Sequence, residues 1–357
     1  MTTADTININ HILNAVAERK ATDVHFVVGN YPFLRIKGKL LPLEDEKLIT
    51  PETLQGIISF FVPEEKKEEL NQTKDFKYIY DWLGKARFRV HIFQQKGYFS
   101  VSLKLINPQL VSLRDLGLPK IVDSFLESPM GLIFITGPFN SGRSTTLASL
   151  IQTINQTRAE RILYLEEPIE HLFINDKSVI EQREVGSDVK SFAAGLQSAK
   201  DEDVNIVAVS KIDGHESLEL LFELAESGRL VIACLDYYSA ITALDGMVSE
   251  FSDAKIPWAQ NVLADFMVGL ICQRLVPTVE GEMTLAVEIL TPSPSAKALI
   301  KEGRFAQLES IVQTSRAEGM ISLERSLVDL VTAGKITAEA AIGNAIDPKA
   351  MKTLLRK

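Results

Sequence analysis

Cysteine is scarce: two residues, Cys234 and Cys272, in a chain of 357. Two thiols cannot complete a four-ligand zinc site, and with no secretory signal ahead of them the chain is expected in a reducing cytoplasm, without disulfide chemistry. Long apolar runs are missing as well. Runs such as residues 132–135, 230–235 and 268–272 fall far short of the ~20 residues that cross a bilayer. No direct membrane insertion is expected, so any attachment goes through a partner. A basic excess is also lacking, because 38 Lys and Arg stand against 47 Asp and Glu, a net charge of −9. Such a surface repels nucleic acid and anionic lipid, and no nucleic acid is expected among the partners. Only 20 Gly and 14 Pro accompany 46% hydrophobic and 24% charged residues, which excludes the collagenous and disordered classes.

What is present is enough chain for two domains of about 150 residues each. Ile9, Ile12, Leu13 and Val16 recur at helical spacing within residues 6–20. Strand patterns follow at 23–28, 33–37 and 86–93, with a helical stretch at 51–70 between them. This is a small α+β domain with an antiparallel sheet, residues 1–105. Residues 106–120, with two prolines and no periodic pattern, read as a linker. The remainder, 121–357, changes character: short apolar runs at 132–135, 162–165, 206–209 and 230–235 alternate with helices, as in a mostly parallel sheet buried on both faces. From about residue 256 the chain reads as a C-terminal helical part, with helix patterns at 258–274, 295–301, 323–332 and 338–346.

The sharpest local signal is Gly137-Pro138-Phe139-Asn140-Ser141-Gly142-Arg143-Ser144-Thr145, which follows a strand and opens a helix. In a phosphate-binding loop of this kind, backbone N–H groups converge on nucleotide phosphates, a lysine adds a point charge, and the next hydroxyl holds magnesium. Here Arg143 fills the lysine place with a planar guanidinium on a longer stem. Asn140 stands where glycine is usual, and Asn tolerates positive φ. Ser144 is the candidate magnesium ligand. The plain alternative is an ordinary strand-to-helix turn.

Ligands of a parallel sheet bind outside the carboxyl ends of its strands. Those ends present residues 137–144, Glu166 with Glu167, Ser210 with Lys211, and Asp236, so two cations and at least two anions converge on one crevice. Either Lys211 pairs with Glu167 or Asp236 and fills an empty site, or it sits where a divalent ion would and neutralises a bound phosphate. His25, His91, His171 and His215 are scattered and read as surface or core residues rather than ligands. Cys234 and Cys272 lie in apolar runs as small hydrophobes. The charge run 64–69 reads as a solvated helix face.

Residues 21–25 (Ala-Thr-Asp-Val-His), 86–90 (Ala-Arg-Phe-Arg-Val), the phosphate loop, 162–170 (Ile-Leu-Tyr-Leu-Glu-Glu-Pro-Ile-Glu), 182–186 (Gln-Arg-Glu-Val-Gly), 296–302 (Ala-Lys-Ala-Leu-Ile-Lys-Glu) and Gly319-Met320 together resemble the PilT family of type IV pilus retraction ATPases, within the wider secretion ATPase superfamily. Order and spacing agree from about residue 10 to 335. The resemblance implies a PAS-like N-terminal domain, a RecA-like second domain and a homo-hexamer that binds ATP. It assigns Arg87 and Arg89 to nucleotide contact from the first domain, with two further arginine positions altered to Lys96 and Lys104. Glu166, Glu167 and Glu170 match the acidic box. The catalytic Gly-Glu pair appears as Ser210-Lys211, and the two family histidines as Arg229 and Asp236. The helix at 296–302 belongs to the part the family associates with retraction; it reads either as a partner contact or as a core helix with Ala298, Leu299 and Ile300 inward.

Two functions stand against each other. One is a slow pilus retraction motor using Arg143, Ser144, Glu166 and Glu167. The other, favoured by the substitutions, is a catalytically impaired ring subunit or regulator of twitching motility. It would assemble as a homo-hexamer or as a mixed ring with an active paralogue, and meet the pilus platform protein of the inner membrane from the cytoplasm.

Overall fold

The computed structural model describes residues 3–19, 21–106 and 110–356. The chain divides into two compact units, residues 1–109 and 110–357. Lys20 and residues 107–109 of the expected helix and linker lie outside the described residues.

The first unit is an antiparallel sheet backed by helices. Its strands are β1 (Asp23–Val27), β2 (Phe33–Ile36), β3 (Lys39–Pro42), β4 (Asp75–Trp82), β5 (Ala86–Gln95) and β6 (Tyr98–Ile106), in the order β3-β2-β1-β6-β5-β4. Alternation makes one face apolar: Val24, Phe26, Phe88, Val90, Ile92, Val101 and Leu103 are all buried. Against this face pack Ile12, Leu13 and Val16 of helix Thr3–Glu18 and Leu54, Ile57, Ile58 and Phe61 of helix Pro51–Phe61. The Trp82 indole N–H donates to the Asn10 side chain at 3.0 Å and ties β4 to the first of these helices. The helical stretch expected at 51–70 breaks after Phe61, where Pro63 cannot continue a helix, and a second helix runs over Lys67–Thr73.

The second unit carries a seven-stranded sheet of order β13-β12-β7-β11-β10-β8-β9. Its strands are β7 (Gly131–Thr136), β8 (Arg161–Glu166), β9 (Val179–Glu184), β10 (Ile206–Val209), β11 (Leu230–Leu235), β12 (Met267–Pro277) and β13 (Met283–Leu290). Every neighbouring pair is parallel except the β12–β13 hairpin. Strands β7, β10 and β11 are buried at every position, as strands covered by helices on both faces must be. From Leu110 the chain counts with this unit, and Leu113 is buried in its core beside Val122 and Phe125.

Two sequence expectations need correction here. The helix expected over 258–274 ends at Phe266, and β12 begins at the next residue; β13 then lies inside the part expected to be helical. A strand buried on both faces shows no alternation, so its apolar run imitates a buried helix. Gly269 sits at the register shift between β12 and β7 with the Phe125 ring against it, where a Cβ would come within 2.4 Å of the ring. The helix Pro294–Lys301 buries Ala296 and Ile300, not Ala298, which is exposed. Residues four apart share a helix face; three consecutive ones do not.

Candidate nucleotide site

The loop between β7 and helix Arg143–Thr157 is built from unusual backbone. Gly137 takes φ +152°, and a Cβ there would lie 2.3 Å from the Gln273 carbonyl oxygen, so only glycine fits. Asn140 adopts φ +61° and Gly142, the helix N-cap, φ +88°. A turn through left-handed residues into a helix N-terminus is the shape in which backbone N–H groups gather around an anion. Gln273 supports it from β12, donating from Nε2 to the Ser141 carbonyl at 2.8 Å. Ser141 is buried, whereas Ser144 and Thr145 are half-buried at the start of the helix. No local signal marks Gln273, because it lies in an apolar run whose pattern reads as helix.

Arg143 does not extend into solvent. Its guanidinium donates through Nη1 to the Gly137 carbonyl and through Nη2 to Oδ1 of Asp236. Register explains the second contact: β11 lies directly beside β7 with Leu235 opposite Thr136, so the next residue, Asp236, faces the first residue of the loop. Thr136 pins that position. Its hydroxyl donates to the Tyr237 carbonyl at 2.9 Å and accepts from the Tyr237 N–H at 3.0 Å, holding the backbone just after Asp236. Just beyond, Ser239 and Thr242 form a capping box, and the Glu288 carboxylate accepts from the Ala240 N–H at 2.8 Å.

The pairing expected of Lys211 with Glu167 or Asp236 is not found. Asp236 is taken by Arg143, and Lys211 is exposed with no ion pair among the described residues. Strand order does not keep them apart, because β10 lies directly between β11 and β8. The phosphate loop is farther away: β10, which ends just before Ser210-Lys211, is two places from β7, or about 10 Å at the usual strand spacing. Ser210 continues the ladder, its N–H donating to the Leu165 carbonyl at 3.0 Å.

Glu166 closes β8, one strand further along, and is only 2% exposed. Its Oε2 accepts from the Glu170 N–H at 3.1 Å, and Glu170 and His171 are themselves buried. Burial, with Glu166 nearby, pushes the Tyr164 phenol well above its ordinary range. Glu167 is exposed. Arg229 sits just before β11, at the opposite edge of the sheet from the loop, and donates to the Ser227 hydroxyl at 2.7 Å and to the Lys200 carbonyl at 3.1 Å. Arg87 and Arg89 lie on one face of β5 in the first unit, with Arg89 paired across to Lys104 of β6. Lys96 stands in the tight β5–β6 turn at φ +47°.

Burial pushes the Cys234 thiol up to about 12, leaving it a protonated core group. Among the described residues no cluster of three or more His, Cys, Asp or Glu is placed to hold a metal ion, so Ser144 has no set of acidic partners of that kind around it.

A family described as "Type II/IV secretion system protein" matches residues 69–353. The chain is 30% identical over 348 residues to the type IV pilus retraction ATPase PilT of Pseudomonas aeruginosa, a match covering 96% of this chain and 99% of that protein. It is 31% identical over 321 residues to a twitching motility protein of Neisseria gonorrhoeae, covering 90% of this chain and 86% of that one. The crystal structure of the pilus retraction motor PilT with bound ADP superposes with a TM-score of 0.84 at 33% identity, across 96% of this chain and 98% of that one. With sequence and fold both matched over nearly its whole length, this chain belongs to the type II/IV secretion system protein family and, within it, to the PilT family.

Proposed function

We propose that the chain is a catalytically impaired subunit of a type IV pilus motor, one that binds ATP weakly and regulates retraction rather than driving it. In this reading the first unit is PAS-like, the second RecA-like, and the subunit enters a hexamer, alone or mixed with an active paralogue, that meets the pilus platform protein from the cytoplasm. The observation that carries it is the carboxyl end of β10, which presents Ser210 and an exposed Lys211 at the place where the family resemblance implies a catalytic carboxylate. An ammonium cannot accept the proton of an attacking water at neutral pH, and general-base help of this kind is worth about 10²–10⁴ in rate. The phosphate loop keeps its shape around Gly137, Asn140, Ser141, Gly142, Ser144 and Thr145, which supports retained nucleotide contact, with Arg87 and Arg89 as contributors from the first unit.

One feature favours the alternative, a slow but working motor. Glu166 remains, buried at the end of β8 on the crevice side of the sheet. ATP turnover by the purified chain, alone and with Glu166→Ala, separates the two. Turnover at background in both proteins is expected. Motor-like turnover abolished by Glu166→Ala would establish the active reading instead.

A further inference from the structure

We infer that Asp236 is the residue that sets how tightly the phosphate loop takes its ligand, because it supplies a built-in anion that competes with phosphate for Arg143. The inference rests on the reading of residues 137–145 as a nucleotide phosphate site. Arg143 and Asp236 both stand where the family pattern has other residues, lysine and histidine. Here the two substitutions meet in one ion pair although they are 93 residues apart. The guanidinium is held at two points, the Gly137 carbonyl at the start of the loop and the Asp236 carboxylate beside it.

The two ends of the pair differ in exposure, the Arg143 side chain being 18% and the Asp236 side chain 68% exposed. Arg143 springs from the first residue of the helix that the loop opens. Asp236 is fixed on both sides, by the β11 ladder before it and by the Thr136 hydroxyl bonds to Tyr237 after it. These bonds place the Asp236 backbone beside the loop, while its carboxylate stays open to water, so the pair carries the modest weight of a solvent-screened one. A phosphate arriving at the loop meets a guanidinium already bound to an anion, and a negative charge that stays next to it. Binding therefore exchanges one anion for another, where an unpaired cation would simply gain a partner. The loop keeps the backbone of a phosphate site while its one side-chain cation is neutralised from within.

Equilibrium titration with ADP of the full chain, Asp236→Asn, Arg143→Ala and the double variant tests this. Asp236→Asn keeps the side chain's shape and removes its charge, and is expected to bind ADP about three- to fivefold more tightly than the parent. In the Arg143→Ala background the same change should tighten binding less than twofold, since a merely structural role for Asp236 would not depend on residue 143. Should the amide variant fail to fold, Asp236→Ser serves in its place. If the parent binds ADP and removing the carboxylate leaves affinity unchanged or weaker, the inference falls while the nucleotide reading stands. If no folded variant binds ADP at all, both fall.

Discussion

At the residue scale the most consequential buried charge outside the loop is Glu288. It is 4% exposed on β13, and burial raises its carboxyl to about 7 from an ordinary 4.5, only partly offset by the Ala240 N–H and Arg274, while Glu324 and Glu309 push the same way as burial. The folded protein therefore holds this proton more tightly than the unfolded chain. A raised carboxyl contributes stability that is fully present below pH 4.5 and is lost as pH rises through about 7. The span corresponds to about 3 kcal/mol. Glu288→Gln, which can still accept from the Ala240 N–H, is expected to flatten the slope of unfolding free energy between pH 5 and 8 and to raise stability at pH 8. Urea unfolding of both proteins at the two pH values checks it, and equal slopes would mean that Glu288 is not the titrating group.

At the scale of elements, β12 does the structural work that the helical reading of residues 258–274 missed. It lies between β7, which leads into the phosphate loop, and β13, and it sends Gln273 to the loop. Its start depends on Gly269, packed against the Phe125 ring where a Cβ would sit 2.4 Å from two ring carbons. Gly269→Ala must push the ring or the strand aside, a cost of about 1–3 kcal/mol for an overpacked core. A matching loss in denaturant stability is expected, and Phe125→Leu in the same chain should recover part of it. A neutral effect would mean that the bulge relaxes freely.

At the scale of the whole molecule, two units with separate cores share a chain of net charge −9, which repels nucleic acid as a whole. No helix among the described residues is long and apolar enough to cross a membrane. The proposed ring makes a plain prediction: sedimentation at micromolar concentration should show a hexamer, formed alone or only on mixing with an active paralogue. A monomer under both conditions would remove the ring from the proposed function.

The amino-acid sequence by itself determined the elements whose signals are local. Alternation marked β1, β2 and β5, apolar runs marked β7, β8, β10 and β11, and the spacing of glycines with Arg143 and Ser144 marked the loop, because side-chain period and backbone freedom act over a few residues. Other strands escape that reading: β3 and β9 are short or mixed, and β12 and β13 lie largely buried on both faces. Strands β4 and β6 do alternate, with Phe76, Tyr78, Tyr80 and Trp82 in one and Phe99, Val101, Leu103 and Leu105 in the other, so their period is legible. The sequence also placed Asp236 and Lys211 at one edge of a sheet. Which of them would meet Arg143 was decided by tertiary structure alone. Strand order puts β11, and not β10, against β7, and hydrogen-bond register then brings Asp236 level with Gly137. Neither order nor register is written in any local pattern, since each follows from how distant segments pack.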